Sequence, residues 1–100
     1  MDTHRPKVRV LGTGGSIAGI GPHRLDYILY PEVGGHLSIG ESLARIVEVN
    51  DVAEIRSEDF TSVGSTAMGP HEWLGMARRI NEMLLEEADL AGVVITHGTA

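Results

Sequence analysis

Between Val8 and Gly19 a short apolar run, Val8-Arg9-Val10-Leu11, meets three glycines in four positions, Gly12-Thr13-Gly14-Gly15, and leaves through Ser16-Ile17-Ala18-Gly19. This stretch restricts the fold more than any other. The β-branched content and the glycine stop read as a short buried strand, Val8 to Leu11. The glycines let the backbone turn tightly and approach a ligand closely, and the two hydroxyls stand beside N–H groups that can donate. In an open parallel sheet that position is the carboxyl end of a strand, where ligands bind.

The chain that follows fits an α/β fold. From Ile20 to Leu37 the Gly, Pro, His, Asp and Tyr content shows no helical period and reads as a long loop, with Arg24, Asp26, Tyr27 and Tyr30 as candidate contacts. Ser38-Ile39-Gly40-Glu41 has the S-x-x-E spacing of a capping box, and Leu43, Ile46 and Val47 carry the predicted helix to about Val49. Val52 to Arg56 alternates like an edge strand, and Thr61 to Gly69 is a second turn-rich segment. Pro70 and Glu72 suit a helix start, after which Trp73, Leu74, Met76, Ala77, Ile80, Met83 and Leu84 recur at spacings of three and four, predicting a core-facing stripe. Gly92-Val93-Val94-Ile95-Thr96 reads as a strand buried on both faces, followed by His97-Gly98-Thr99-Ala100.

The expected fold is therefore α/β, the three-strand portion of a doubly wound, Rossmann-like parallel sheet. Right-handed crossovers place the strand ends at Gly12–Ser16, Val63–Thr66 and His97–Thr99 on one rim. One hundred residues make one domain at most.

Charge and composition narrow the function. Fourteen acids against eight Lys and Arg give a net charge of −6, which argues against a nucleic-acid surface; the adjacent Arg78 and Arg79 read as solvated helix surface. The apolar stretches are strand-sized, too short for a membrane span or a signal-peptide core, so no membrane partner and a cytoplasmic location are expected. Without cysteine there is neither a disulfide nor a thiol nucleophile, and the five histidines lack metal-ligand spacing, so no metal and no cofactor are expected. His97, at a strand end, reads as structural or as an orienting hydrogen-bond partner.

Three hydroxyl-bearing loops, Thr13/Ser16, Ser65/Thr66 and Thr96/Thr99, share the predicted rim. A hydroxyl nucleophile needs a nearby base and N–H donors for the oxyanion, and the glycine-rich turn can supply the donors. The plainer reading is that these hydroxyls cap turns. A dinucleotide fingerprint fails because Ile17 stands where its third glycine belongs, and a Walker motif fails for want of lysine, which leaves a phosphate-binding module in third place.

Thr13-Gly14-Gly15-Ser16-Ile17-Ala18-Gly19 resembles the Thr-Gly-Gly-Thr-Ile-Ala signature of the bacterial L-asparaginase/glutaminase family, type II-like, and Thr96-His97-Gly98-Thr99 resembles its second signature. Val63-Gly64-Ser65-Thr66-Ala67-Met68, with Trp73-Leu74-Met76-Ala77 after it, resembles the family's substrate-carboxylate loop and the following helix. The resemblance covers nearly the whole chain in the right order. It implies that residues 1–100 are the N-terminal asparaginase-like domain of a longer amidohydrolase, truncated at its C-terminus, acting on asparagine, glutamine or a related amide through an acyl-enzyme. It further implies a homo-oligomeric parent, dimer or tetramer.

Carried over by residue, Ser16 falls at the nucleophilic threonine, Tyr27 or Tyr30 at the loop tyrosine that helps activate it, and Thr99 at the second catalytic threonine. Ser65 matches the residue that binds the substrate's α-carboxylate, Thr66 lies next to it, and Gly15, Gly64 and Gly98 flank these as substrate-contacting backbone. The pattern breaks at Ala100, where the family has an aspartate that also binds the substrate's α-ammonium. The 100 residues alone are expected to be inactive and poorly soluble, with Val93–Thr96 lacking a neighbour on one side. A non-catalytic module that binds small dicarboxylates is the alternative.

Overall fold

The computed structural model describes residues 5–21, 25, 35–61 and 68–98, and of Ser16 it describes the backbone alone. Strand β1 spans Lys7–Gly12, one residue longer at each end than the apolar run. A 3₁₀ turn, Ser16–Ala18, leads into β2, Gly19–Ile20, which pairs antiparallel with β3, Gly35–His36. The segment read as loop thus contains a two-residue ladder, closed further by the Leu37 N–H donating to the Ala18 carbonyl at 2.8 Å.

Helix α1, Ile39–Ala44, begins where the capping box predicts: Ser38 Oγ accepts from Glu41 N at 3.1 Å and Glu41 Oε1 accepts from Ser38 N at 2.9 Å. These two bonds hold the Glu41 carboxyl below its ordinary range. The helix stops short of the predicted Val49. Arg45 and Ile46 tighten its last turn through i→i−3 bonds, and the β-branched Ile46, Val47 and Val49 pass into a 3₁₀ turn, Val47–Asp51. Strand β4 is Glu54–Asp59, later than the predicted Val52–Arg56. Helix α2, Pro70–Glu86, starts at the predicted proline with Glu72 Oε1 accepting from Gly69 N at 2.9 Å, and strand β5 is Leu90–Thr96.

The main sheet is parallel with order β4-β1-β5, and its three strand ends lie level: Gly12 is paired with Asp59 on one side and Thr96 on the other. Neighbouring residues of a strand point to opposite faces. Leu11 packs with Met68, Met76 and Met83 beneath α2, while a Cβ on Gly12 would meet Ile39 of α1, so the two helices cover opposite faces. That is the doubly wound arrangement.

Burial corrects two expectations. On α2 the core stripe is Met76, Ile80 and Met83; Trp73 is 54% exposed, and Leu74, two residues from Met76, lies almost opposite it on the helix. Strand β5 is not buried on both faces: it is an edge of the described sheet, and because α1 packs over β4 and β1, Val94 is left 51% exposed.

Arg79 is likewise not simple solvated surface. Its Nε and Nη2 each donate to Glu58 at 2.7 Å in a two-pronged pair, and Nη1 reaches Glu86 at 3.1 Å and Glu82 at 3.3 Å. Arg9 of β1 joins the cluster through Glu87 and, at 3.8 Å, Glu58. The Arg79 hydrogen bonds outweigh burial and hold the Glu58 carboxyl below its ordinary range, and they raise the Arg79 guanidinium in turn. A carboxylate with a lowered folded-state pKa stabilises the fold above its unfolded pKa and loses that contribution as pH falls through the folded value. Urea midpoints should therefore drop from about pH 6 to about pH 3, and drop less in Glu58→Gln. Asp89, lowered by its ion pair with Lys7, and Glu41 titrate with the same sign, so the difference between parent and variant isolates Glu58.

Candidate functional site

In an order of β4-β1-β5 the chain runs outward from β1 to β4 and then crosses back over β1 to β5. The connections leaving β1 and β4 lie on opposite faces, so a crevice opens between the ends of β1 and β5. This is the topological switch point. The glycine-rich turn follows β1 at this point, and His97-Gly98 follows β5.

The turn is built by local constraints. Gly14 and Gly15 have φ of 76° and 81°, the left-handed region that a Cβ disfavours, and their succession swings the chain off the sheet. Ala18 N–H then donates to the Gly15 carbonyl at 3.0 Å, closing the 3₁₀ turn that carries Ser16. Gly12 serves a different need: a Cβ there would lie 2.8 Å from Ile39 Cβ and 3.3 Å from Asp59 Oδ1, so only glycine lets α1 come this close to the strand end.

Two side chains fasten the rim. Asp59 Oδ1 accepts from Ile39 N at 2.9 Å, satisfying a free N–H at the start of α1. Thr13 Oγ1 donates to the Thr96 carbonyl at 2.6 Å, across the crevice and 83 residues away in sequence. Above Gly12 and Asp59 lies an apolar cavity of about 220 Å³ between the turn and α1, with Ile17, Leu37, Ile39 and Leu43 in its lining.

Of the residues singled out in the sequence, the structure brings Gly15, the Ser16 backbone and Gly98 to this rim. Gly15 and Gly98 are buried there. Tyr27, Tyr30, Gly64, Ser65, Thr66, Thr99 and Ala100 lie outside the described residues, as do Arg24 and Asp26. His97 Nδ1 donates to the carbonyl of Gly98 at 2.6 Å, and the residue is exposed. Asp59 was missed because β4 was placed too early; once β4 is extended to Asp59, its carboxylate falls on the rim. Among the described residues no cluster of His, Asp and Glu is placed to hold a metal ion.

A doubly wound α/β domain with a hydroxyl-bearing glycine turn at its switch point is thus defined. The chain belongs to the asparaginase family: the family model described as asparaginase, N-terminal, matches residues 7–100. The L-asparaginase 2 of Bacillus subtilis (strain 168) is 34% identical over 94 residues, which are 94% of this chain and 24% of that protein. A glutamyl-tRNA(Gln) amidotransferase component from Thermofilum pendens is 37% identical over 97 residues, 94% of this chain and 20% of that one. The crystal structure of a probable cytoplasmic L-asparaginase from Campylobacter jejuni superposes with a TM-score of 0.81 at 32% identity, covering 95% of this chain and 28% of that chain. The chain therefore spans about a quarter or less of the length of these two curated relatives.

Proposed function

We propose that this chain is the N-terminal part of an amidohydrolase that converts the side-chain amide of asparagine, glutamine or a related small amide to the acid and ammonia. The observation that carries the reading is the turn Gly12–Ser16 at the switch point, held against the end of β5 by the Thr13–Thr96 hydrogen bond. In this reading the Ser16 hydroxyl attacks the amide carbonyl, its proton passes to the departing nitrogen, and ammonia leaves an ester on Ser16. Water then attacks the ester, releasing the acid and restoring the hydroxyl.

Tyr27 or Tyr30 assists the first proton transfer, and Thr99 acts as the second catalytic hydroxyl. Ser65 and Thr66 bind the substrate carboxylate, with Gly15, Gly64 and Gly98 contributing backbone contacts. The reading extends to a cytoplasmic homo-oligomer of small-molecule specificity without nucleic-acid binding. Among the described residues no helix is long and apolar enough to cross a membrane.

The names of the relatives differ in the fate of the amide nitrogen. Asparaginase and glutaminase-asparaginase favour release to water, whereas an amidotransferase implies an acceptor. Ala100 favours a second reading, a binding module for dicarboxylates, because alanine cannot accept the hydrogen bond of an α-ammonium group. The test is ammonia release by the full-length protein from asparagine and from glutamine, with calorimetry of aspartate binding alongside. Turnover supports the hydrolase, saturable binding without ammonia supports the module, and neither result removes both.

A further inference from the structure

We infer that Thr13 is a positioning residue of the proposed site: its buried hydroxyl, bonded to the last carbonyl of β5, fixes how far the Ser16 turn stands from the strand end that leads into His97 and Gly98. The inference rests on the hydrolase reading above. Among the described residues Thr13 is the one buried polar side chain, 1% exposed, and its 2.6 Å bond to Thr96 is short. The sheet does not need that bond for its register, because β1 and β5 are already paired through Gly12 and Thr96.

What the bond holds instead is the chain beyond the ladder. Gly14 and Gly15, both at positive φ, follow at once and have no side chains to brace the turn. Thr13 is the last braced residue before Ser16. Its branched Cβ restricts the side-chain rotamer, so the hydroxyl meets Thr96 in one geometry, where a valine of similar shape would fill the space without fixing the separation. Attack on an amide is sensitive to displacements of this size: a misplacement of about 1 Å is enough to lower a rate about a hundred-fold.

The experiment compares Thr13→Val and Thr13→Ser in the full-length protein, reading kcat and KM for ammonia release and the hydrogen exchange of backbone amides. Thr13→Val should lower kcat roughly ten- to a hundred-fold with KM changed less than about threefold, and Thr13→Ser should recover most of the loss. Exchange in Thr13→Val should quicken at Gly14–Ser16 and His97–Gly98 while the amides of α2 keep their protection. Full activity in Thr13→Val overturns the inference, and so does exchange that quickens uniformly or not at all. If the parent releases no ammonia, the hydrolase reading fails by itself, and the exchange pattern still decides whether Thr13 sets the spacing of the rim.

Discussion

Ser16→Ala in the full-length protein should lower kcat for amide hydrolysis at least about 10⁴-fold, or about 5.4 kcal/mol in the barrier. Alanine has no atom that can form the acyl bond, so what survives is only what N–H donors and substrate binding contribute without a nucleophile. The backbone should not be disturbed. Ser16 opens a 3₁₀ turn closed by the Ala18 N–H on the Gly15 carbonyl, and alanine adopts that conformation readily, so the variant should melt with its parent. Mass spectrometry after rapid quenching should find an acyl adduct on the parent and none on the variant. Retained turnover would move the nucleophile to Thr99.

Leu11→Ala should cost about 2–5 kcal/mol of stability, a large share of the roughly 5–15 kcal/mol that holds an ordinary domain together. Leu11 is fully buried at the centre of the described core, with Met68, Met76 and Met83 in its cluster and Phe60 and Val93 packed against it. Methionines are flexible enough to settle partly into the space left behind, which favours the lower half of that range. Urea denaturation gives the number. A loss below about 1 kcal/mol would show that the contacts around Leu11 are not where the fold holds together.

The two substitutions lie close together in the chain yet separate two properties. Leu11 anchors the strand to the helix beneath it, and Ser16 stands beyond the glycines, in the 3₁₀ turn that follows the strand. A destabilised Leu11→Ala should therefore keep its kcat under conditions where it remains folded, while Ser16→Ala keeps its stability and loses its chemistry. Glu58→Gln leaves the chemistry alone but removes the contribution of the Arg79 pair at neutral pH, which is why its stability falls less on acidification.

Features set by a few neighbouring residues were legible from the sequence. Ser38 and Glu41 specified the start of α1 because both partners lie within one helical turn, Pro70 and Glu72 did the same for α2, and the glycines after Leu11 marked the strand end. The motifs around Ser16 and Thr96 named the family before any contact was known. Local pattern misled where a distant group supplied the partner. The edge strand reads as ending at Arg56, whereas β4 runs on through Glu58, whose charge is matched by Arg79, 21 residues away, and Trp73 looked like core because spacing alone does not say which half of a broad apolar stripe meets the sheet.

The sequence by itself determined the three strands of the main sheet and the two helices as element types, the helix starts, the glycine turn and the family signatures, since each depends on backbone preferences and on side-chain bonds between near neighbours in the chain. Only the tertiary structure decided the order β4-β1-β5, the level alignment of Gly12, Asp59 and Thr96, and the bonds from Asp59 to Ile39 and from Thr13 to Thr96. Those depend on which strands become neighbours and which side chains then face one another across the rim. Such contacts are made by pairing and packing between segments far apart in the chain, and no local preference encodes them.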